Sequence, residues 1–125
     1  MKHLLDVNVL LAAIWDNHPL HAKAFAWLSG KSIMLCPLSE LGFLRISTNK
    51  KAINAPMVKA RQLLEKFSAE RKAEWIPDDL VPLLSHAKKS EEVTDAYLAD
   101  LAAKHGARVV TFDQDISHKS VDVIR

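Results

Sequence analysis

Leu4-Leu5-Asp6-Val7-Asn8-Val9-Leu10-Leu11-Ala12 is an apolar run broken by two polar residues. Such a run reads as a buried strand passing directly into a helix, with Asp6 at the junction. In an open parallel sheet the ligand crevice lies outside the carboxyl ends of the strands, at the crossover. A carboxylate here is therefore placed where chemistry is done. Asp6 or Asn8 serves equally well as a cap for the helix opening at Val7, since both side chains accept hydrogen bonds from the unpaired amides of a first turn. This stretch alone leaves both readings open.

Working outward, residues Lys2 to Asp6 read as a strand and Val7 to Trp15 as a helix. Asp16-Asn17-His18-Pro19 is a break, and Leu20 to Leu28 carries apolar residues at helical spacing until Ser29-Gly30 stops it. Ile33 to Cys36 suits a parallel strand, and Pro37 opens a helix running to about Thr48. Pro56 opens an amphipathic helix through about Ala69. Ala73 to Pro77 reads as a third strand, while Asp78 to Leu84 is ambiguous around Pro82. Ser90 to Lys104 is a helix ended by Gly106, Arg108 to Phe112 a β-branched strand, and Val121 to Ile124 a closing strand. This alternation predicts an α/β fold of three layers, α/β/α, around a mainly parallel sheet of four to five strands.

Length and composition set the class. The 125 residues are 49% hydrophobic and 26% charged, with 3 Gly and 5 Pro, which fits one soluble domain over 1–125 and not a disordered tail. The net charge of +2 permits an acidic partner such as nucleic acid without requiring one. Cys36 is the only cysteine, so no intrachain disulfide and no cysteine zinc cluster is available, as suits a reducing cytoplasm. The amino-terminal apolar segment is cut by Asp6 and Asn8, making it a poor signal peptide and too short a membrane span.

Four acids map to one rim, because strand carboxyl ends and the following helix amino ends share an edge in right-handed βαβ units. Asp6 ends the first strand, Glu40 lies early in the helix after the second, Asp95 lies early in the helix before the fourth, and Asp113 ends the fourth. Asp95 heads the row Leu98, Ala99 and Ala102, a stripe expected to face the sheet, where an unpaired charge is costly. Phe43 and Leu44 stand below Glu40 in a similar way. The helix macrodipole also favours an acid at either place for purely structural reasons. Several carboxylates in one crevice need protons, basic partners or a hard cation. An all-oxygen set without thiolates favours Mg²⁺, or Mn²⁺ as the alternative, over zinc. Such an ion suits hydrolysis of a phosphodiester.

The chain resembles the PIN-domain ribonucleases, and within them the VapC-type toxins of toxin–antitoxin pairs. Four stretches, in order along nearly the whole sequence, carry the resemblance: Leu5-Asp6-Val7-Asn8-Val9-Leu10-Leu11-Ala12, Ser39-Glu40-Leu41-Gly42-Phe43-Leu44-Arg45, Thr94-Asp95-Ala96-Tyr97-Leu98-Ala99 and Val110-Thr111-Phe112-Asp113. The resemblance implies Mg²⁺- or Mn²⁺-dependent endonucleolytic cleavage of RNA, a cognate antitoxin protein that occupies the crevice, and a homodimer. It implies Asp6, Glu40, Asp95 and Asp113 as the catalytic acids, with Asp6, Asp95 and Asp113 as the metal-binding set. Asn8 and Thr111 look like polar supports that orient these acids. Arg45 reads as a contact to phosphate or a tie to one of the acids, and equally as a helix-surface ion, while Asp115 competes with Asp113.

Other features read as structural. His18 and His21 flank a helix start with no third ligand nearby in sequence, and His86, His105 and His118 are isolated. Trp15, Trp27, Trp75 and Phe67 fall on apolar patterns and read as core or subunit contacts rather than stacking platforms for bases. Lys50-Lys51, Lys59, Arg61, Arg71-Lys72 and Lys88-Lys89 either flank a crevice for phosphate or form solvated faces. The helices between Leu38 and Ala69 would, by the resemblance, form the antitoxin groove. A receiver-like signalling domain, the competing class, needs an acidic pair after its first strand, whereas Asp6 has no acidic neighbour. A haloacid-dehalogenase-type phosphatase is weaker still, because Asp6-Val7-Asn8 lacks the second acid that its opening motif uses. A PIN fold that binds RNA without cutting it is the third alternative.

Overall fold

The computed structural model describes residues 1–82, 89–114 and 120–125, with the backbone alone at Glu91. β1 (Lys2–Leu5) is the middle strand, and its last three residues are buried. It pairs in parallel with β2 (Ser32–Leu35) on one side and β4 (Ala107–Thr111) on the other. β3 (Glu74–Trp75) lies outside β2, and β5 (Val121–Val123) lies outside β4. The sheet order is thus β3-β2-β1-β4-β5, with each neighbouring pair parallel.

Side chains alternate across a strand, so consecutive residues feed two different cores. Leu5, Ile33, Leu35 and Val110 face one core, shared with α1 (Val7–Ile14), α2 (His21–Leu28), α3 (Pro37–Thr48) and α4 (Met57–Glu70). Leu4, Met34 and Val109 face the other, closed by Leu98, Ala99, Leu101 and Ala102 of α5 (Val93–Lys104). Cover on both faces explains why the inner strands are almost continuously apolar. Each fully buried Leu or Phe of these cores, Leu10 and Phe43 among them, contributes about 1.5–3 kcal/mol relative to exposure. The expected three layers are present.

Local chemistry sets the boundaries that matter for the rim. Pro37 occupies the first turn of α3, where its missing N–H costs nothing. α5 stops at Gly106, whose φ of 68° lies in the left-handed region that a glycine enters without a Cβ penalty. α3 lies close to α1 at Gly42, where an added Cβ would stand 2.5 Å from Val7 Cγ2. Only glycine permits that approach.

Three sequence expectations change. The strand expected over Ala73 to Pro77 is confined to Glu74–Trp75. The Ile76 N–H still reaches Leu35 O at 2.9 Å, and the ladder ends at Pro77, which has no N–H to give. Trp75 is not a core residue, being 56% exposed on this edge strand. The helix expected from Ser90 begins as a 3₁₀ turn over Ser90–Glu92 before α5. Leu83, Leu84, His86, Lys88, Asp115 and His118 lie outside the described residues. Among the described residues no helix is long and apolar enough to cross a membrane.

Candidate metal-binding carboxylate site

Asp6 is the N-cap of α1 and is 7% exposed. Its backbone N–H joins the sheet by donating to Val110 O at 3.0 Å. Its two carboxylate oxygens have separate tasks: Oδ1 accepts the Val7 N–H at 2.7 Å, and Oδ2 accepts the Thr111 hydroxyl at 2.7 Å. The two readings of Asp6 are therefore compatible, since capping uses one oxygen. Burial pushes its carboxyl above the ordinary value, with the nearby Asp113 adding to the rise and the two hydrogen bonds opposing it.

Thr111, fully buried at the end of β4, organises the rim. Its single proton goes to Asp6, so its oxygen is free to accept from Asn8 Nδ2 at 3.2 Å and from the Asp113 N–H at 3.1 Å. Asn8 in turn accepts the Phe112 N–H on Oδ1 at 3.2 Å. One hydroxyl thus ties the start of α1 to the turn after β4, holding the Asp6 carboxylate and the Asp113 backbone.

Asp95, in the first turn of α5, approaches from the other layer. The stripe below it is buried as expected, with Leu98, Ala99 and Ala102 all at 0% exposure. Its carboxyl is pushed up to about 7, first by burial, then by the charges of Asp6 and Asp113, and by its hydrogen bond to the Asp113 carboxyl. At neutral pH Asp95 is thus poised between its two protonation states, its proton shared toward Asp113. Three of the four rim acids act on one another.

Glu40 stands apart from them. It lies in the first turn of α3, yet it is not among the charges acting on Asp6 or Asp95, and its Oε1 accepts the Trp75 indole N–H at 2.8 Å. Ser39, beside it, has a structural role. Fully buried, its hydroxyl donates to Leu5 O at 2.7 Å and pins α3 to the end of β1. Nothing in the sequence distinguishes it from an ordinary helix serine. Arg45 is exposed in the last turn of α3, and it is not among the charges acting on Asp6 or Asp95.

Among the described residues no group of three or more His, Cys, Asp or Glu forms a ready-made metal cage. The oxygen donors nevertheless fit a hard cation, because Mg²⁺ is commonly held by one or two carboxylates and keeps several waters. The mutual repulsion recorded at Asp95 is what such a cation would relieve. Among the described residues, three histidines have other partners: His18 Nδ1 accepts the Leu20 N–H at 3.0 Å, His21 Nδ1 lies 2.8 Å from Ala12 O, and His105 Nε2 lies 2.8 Å from Asp79 Oδ1. Trp15 is core, with its N–H given to Ser47 Oγ at 2.9 Å and its ring stacked on Phe43.

A protein-family model described as PIN domain matches residues 3–122. Ribonuclease VapC38 of Mycobacterium tuberculosis (strain ATCC 25618 / H37Rv) is 37% identical over 124 residues, spanning 90% of this chain and 86% of that protein. Ribonuclease VapC44 of the same strain is 37% identical over 131 residues, spanning 97% and 92%. Among solved structures, VapBC2 from Rickettsia felis, bound to a DNA fragment from their promoter, superposes with a TM-score of 0.60 at 17% identity. That match covers 92% of this chain and 90% of that one, a likeness of fold. With the matches running along almost its full length, the chain belongs to the PIN-domain family and, within it, to the VapC ribonucleases.

Proposed function

We propose that the chain is a Mg²⁺- or Mn²⁺-dependent endoribonuclease, the toxin of a type II toxin–antitoxin pair, working as one domain over 1–125 in the cytoplasm. The observation that carries the reading is the coupling of three carboxylates at one rim, which lifts Asp95 to about 7. The likeness to ribonucleases VapC38 and VapC44 supports the RNA substrate.

In this reading Asp6, Asp95 and Asp113 hold the cation, and Glu40 completes the acidic set. When bound, the ion supplies Lewis-acid polarisation of the scissile phosphate and makes an attacking water available near neutral pH. The chain's own groups prepare for it. Thr111 holds the Asp6 carboxylate and the Asp113 backbone N–H, and Asn8 holds Thr111 and the Phe112 N–H, supporting contacts of the kind whose loss commonly costs 10- to 100-fold in metal affinity. A cation held here would displace the proton that Asp95 shares, so its binding would strengthen as pH rises through about 7. Arg45, exposed on α3, is available to a phosphate of the RNA backbone.

The partners follow the same family. A cognate antitoxin protein covers the crevice, and a homodimer is the working unit; the exposed apolar side chains of Leu41, Met57 and Val58 on α3 and α4 are available for such contacts. The test is cleavage of a structured RNA pool by the purified chain with Mg²⁺ or Mn²⁺, with chelator, and after Asp6→Asn or Asp95→Asn. The reading expects cutting that disappears under chelation and in both variants while the fold persists. Cutting that survives chelation removes the metal from the account. RNA binding without cutting makes the chain a non-cleaving PIN protein instead.

A further inference from the structure

A cavity of about 320 Å³ opens beside the carboxylate rim. Leu38, Leu80, Val93 and Tyr97 supply apolar wall, and Asp78 and Thr94 supply polar groups. These residues gather at the carboxyl ends of the strands. Leu38 is the second residue of α3, just after β2; Asp78 and Leu80 follow β3; Val93, Thr94 and Tyr97 belong to the first turns of α5. Thr94 immediately precedes Asp95. Successive residues of a helix point about 100° apart, so α5 turns Asp95 toward Asp6 and Asp113 and Thr94 into the cavity.

The wall is held in place by specific bonds. Tyr97 Oη donates to Leu80 O at 3.0 Å, and His105 Nε2 lies 2.8 Å from Asp79 Oδ1, so the chain after β3 is tied to α5 at two points. Leu38, Leu80 and Tyr97 also pack on the core beneath. The Asp78 carboxylate is among the charges acting on Cys36 and Tyr97, which places it over this apolar wall.

Charge limits what fits. Apolar walls with one carboxylate repel a phosphate, whereas a planar base stacks on such a wall and offers its edge to a few polar groups. The volume lies at the small end of ligand sites, which span about 300–1,000 Å³. An RNA strand with its phosphate at Asp6, Asp95 and Asp113 brings a base of the same or the neighbouring nucleotide to Thr94. A carboxylate accepts hydrogen bonds and donates none. Guanine is the base with two N–H donors side by side on its Watson–Crick edge, next to a carbonyl that suits a hydroxyl donor.

We propose that this cavity is a nucleobase subsite for a guanine beside the scissile phosphate, with Asp78 accepting from its two N–H groups and Thr94 donating to its carbonyl. The choice of ligand rests on the proposed ribonuclease function, while binding in the cavity needs no cation.

The experiment has two arms. In chelator, GMP, AMP, CMP, UMP and inorganic phosphate are titrated separately into the ¹⁵N-labelled full chain, and the amide signals are followed by NMR. GMP is expected to shift Leu80, Thr94 and Tyr97 at lower concentration than the other nucleotides, and phosphate to leave them unmoved. Asp78→Asn should weaken GMP about tenfold or more, the scale of lost hydrogen bonds to a charged group. Asp78→Ala carries the same arm if Asp78→Asn fails to fold. With Mn²⁺, RNA oligonucleotides that differ in one base beside the cut should be cleaved fastest with guanine there, and Asp78→Asn should erase that preference. GMP that leaves the three amides unmoved overturns the proposal, as does equal binding of all four nucleotides or a GMP affinity that ignores Asp78. If N-acetyl-arginine amide moves these amides and GMP does not, the cavity takes a protein side chain and the proposal falls. If GMP binds as expected but no RNA is cut, the ribonuclease reading fails and the guanine site stands. If cutting depends on Asp95 yet shows no base preference and GMP does not bind, only this subsite falls.

Discussion

Asp95→Asn should make the cation-free protein more stable at pH 8 while removing cleavage. The unfolded chain releases the Asp95 proton near 3.8 and the native chain near 7, so between those values the native state holds more proton. Raising the pH across that window therefore favours unfolding: stability from this group is complete below 3.8 and is lost as pH rises through about 7. A shift of about three units corresponds to about 4 kcal/mol at most. Asp95 is only partly buried, so solvent screening reduces this to about 1–2 kcal/mol. For a chain of this length that is a rise in Tm of roughly 4–8 °C at pH 8. Asn keeps an N–H donor for Asp113 and removes the charge that Asp6 and Asp113 oppose. The assay is thermal unfolding of both proteins in chelator at several pH values from 4 to 8.5. The gain should grow from pH 4 to about 7 and then level, and added Mn²⁺ should narrow it by stabilising wild type alone. A gain independent of pH, or a loss at pH 8, refutes the claim that like charges are forced together at this rim.

Three other outcomes follow from the geometry. Thr111→Val removes the hydroxyl donated to Asp6 and strands the Asn8 amide and Asp113 N–H that it accepted; chemical denaturation should show a loss of about 1–3 kcal/mol and calorimetry a weaker Mn²⁺ affinity. Gly42→Ala drives a methyl group into Val7 and should cost about 1–3 kcal/mol, part of which Val7→Ala restores in the same denaturation assay. His3 is held neutral by burial, its pKa lowered from 6.5 against the pull of Asp122, so stability should fall as pH drops through 6.5. In His3→Phe that part of the acid limb should disappear from the melting profile.

How much of this was legible in the sequence depended on how many neighbours an element has. β1, β2 and β4 are covered on both faces and paired on both sides, so their apolar runs announce them. β3 is an edge strand with one partner. A five-residue stretch with strand character there yields only two paired residues, and Trp75 can stand in solvent. The sequence pattern of alternation carries no mark for that difference. Asp6 was visible because it interrupts a hydrophobic run, and Asp95 because it heads one. Their convergence with Asp113 depends on sheet order and crossover hand, which general rules supply. Ser39 and the Glu40–Trp75 bond were not visible, since each depends on contacts between residues 34 or 35 positions apart. Gly42 stood in a quoted motif, but the close approach that requires it appears only in three dimensions.

The most direct test of the cation site is anomalous diffraction from crystals of the full chain soaked in Mn²⁺. The expected result is a peak bounded by the carboxylates of Asp6, Asp95 and Asp113, and no peak in Asp95→Asn. A peak elsewhere on the chain, or none while Mn²⁺-dependent cleavage persists in solution, would contradict it.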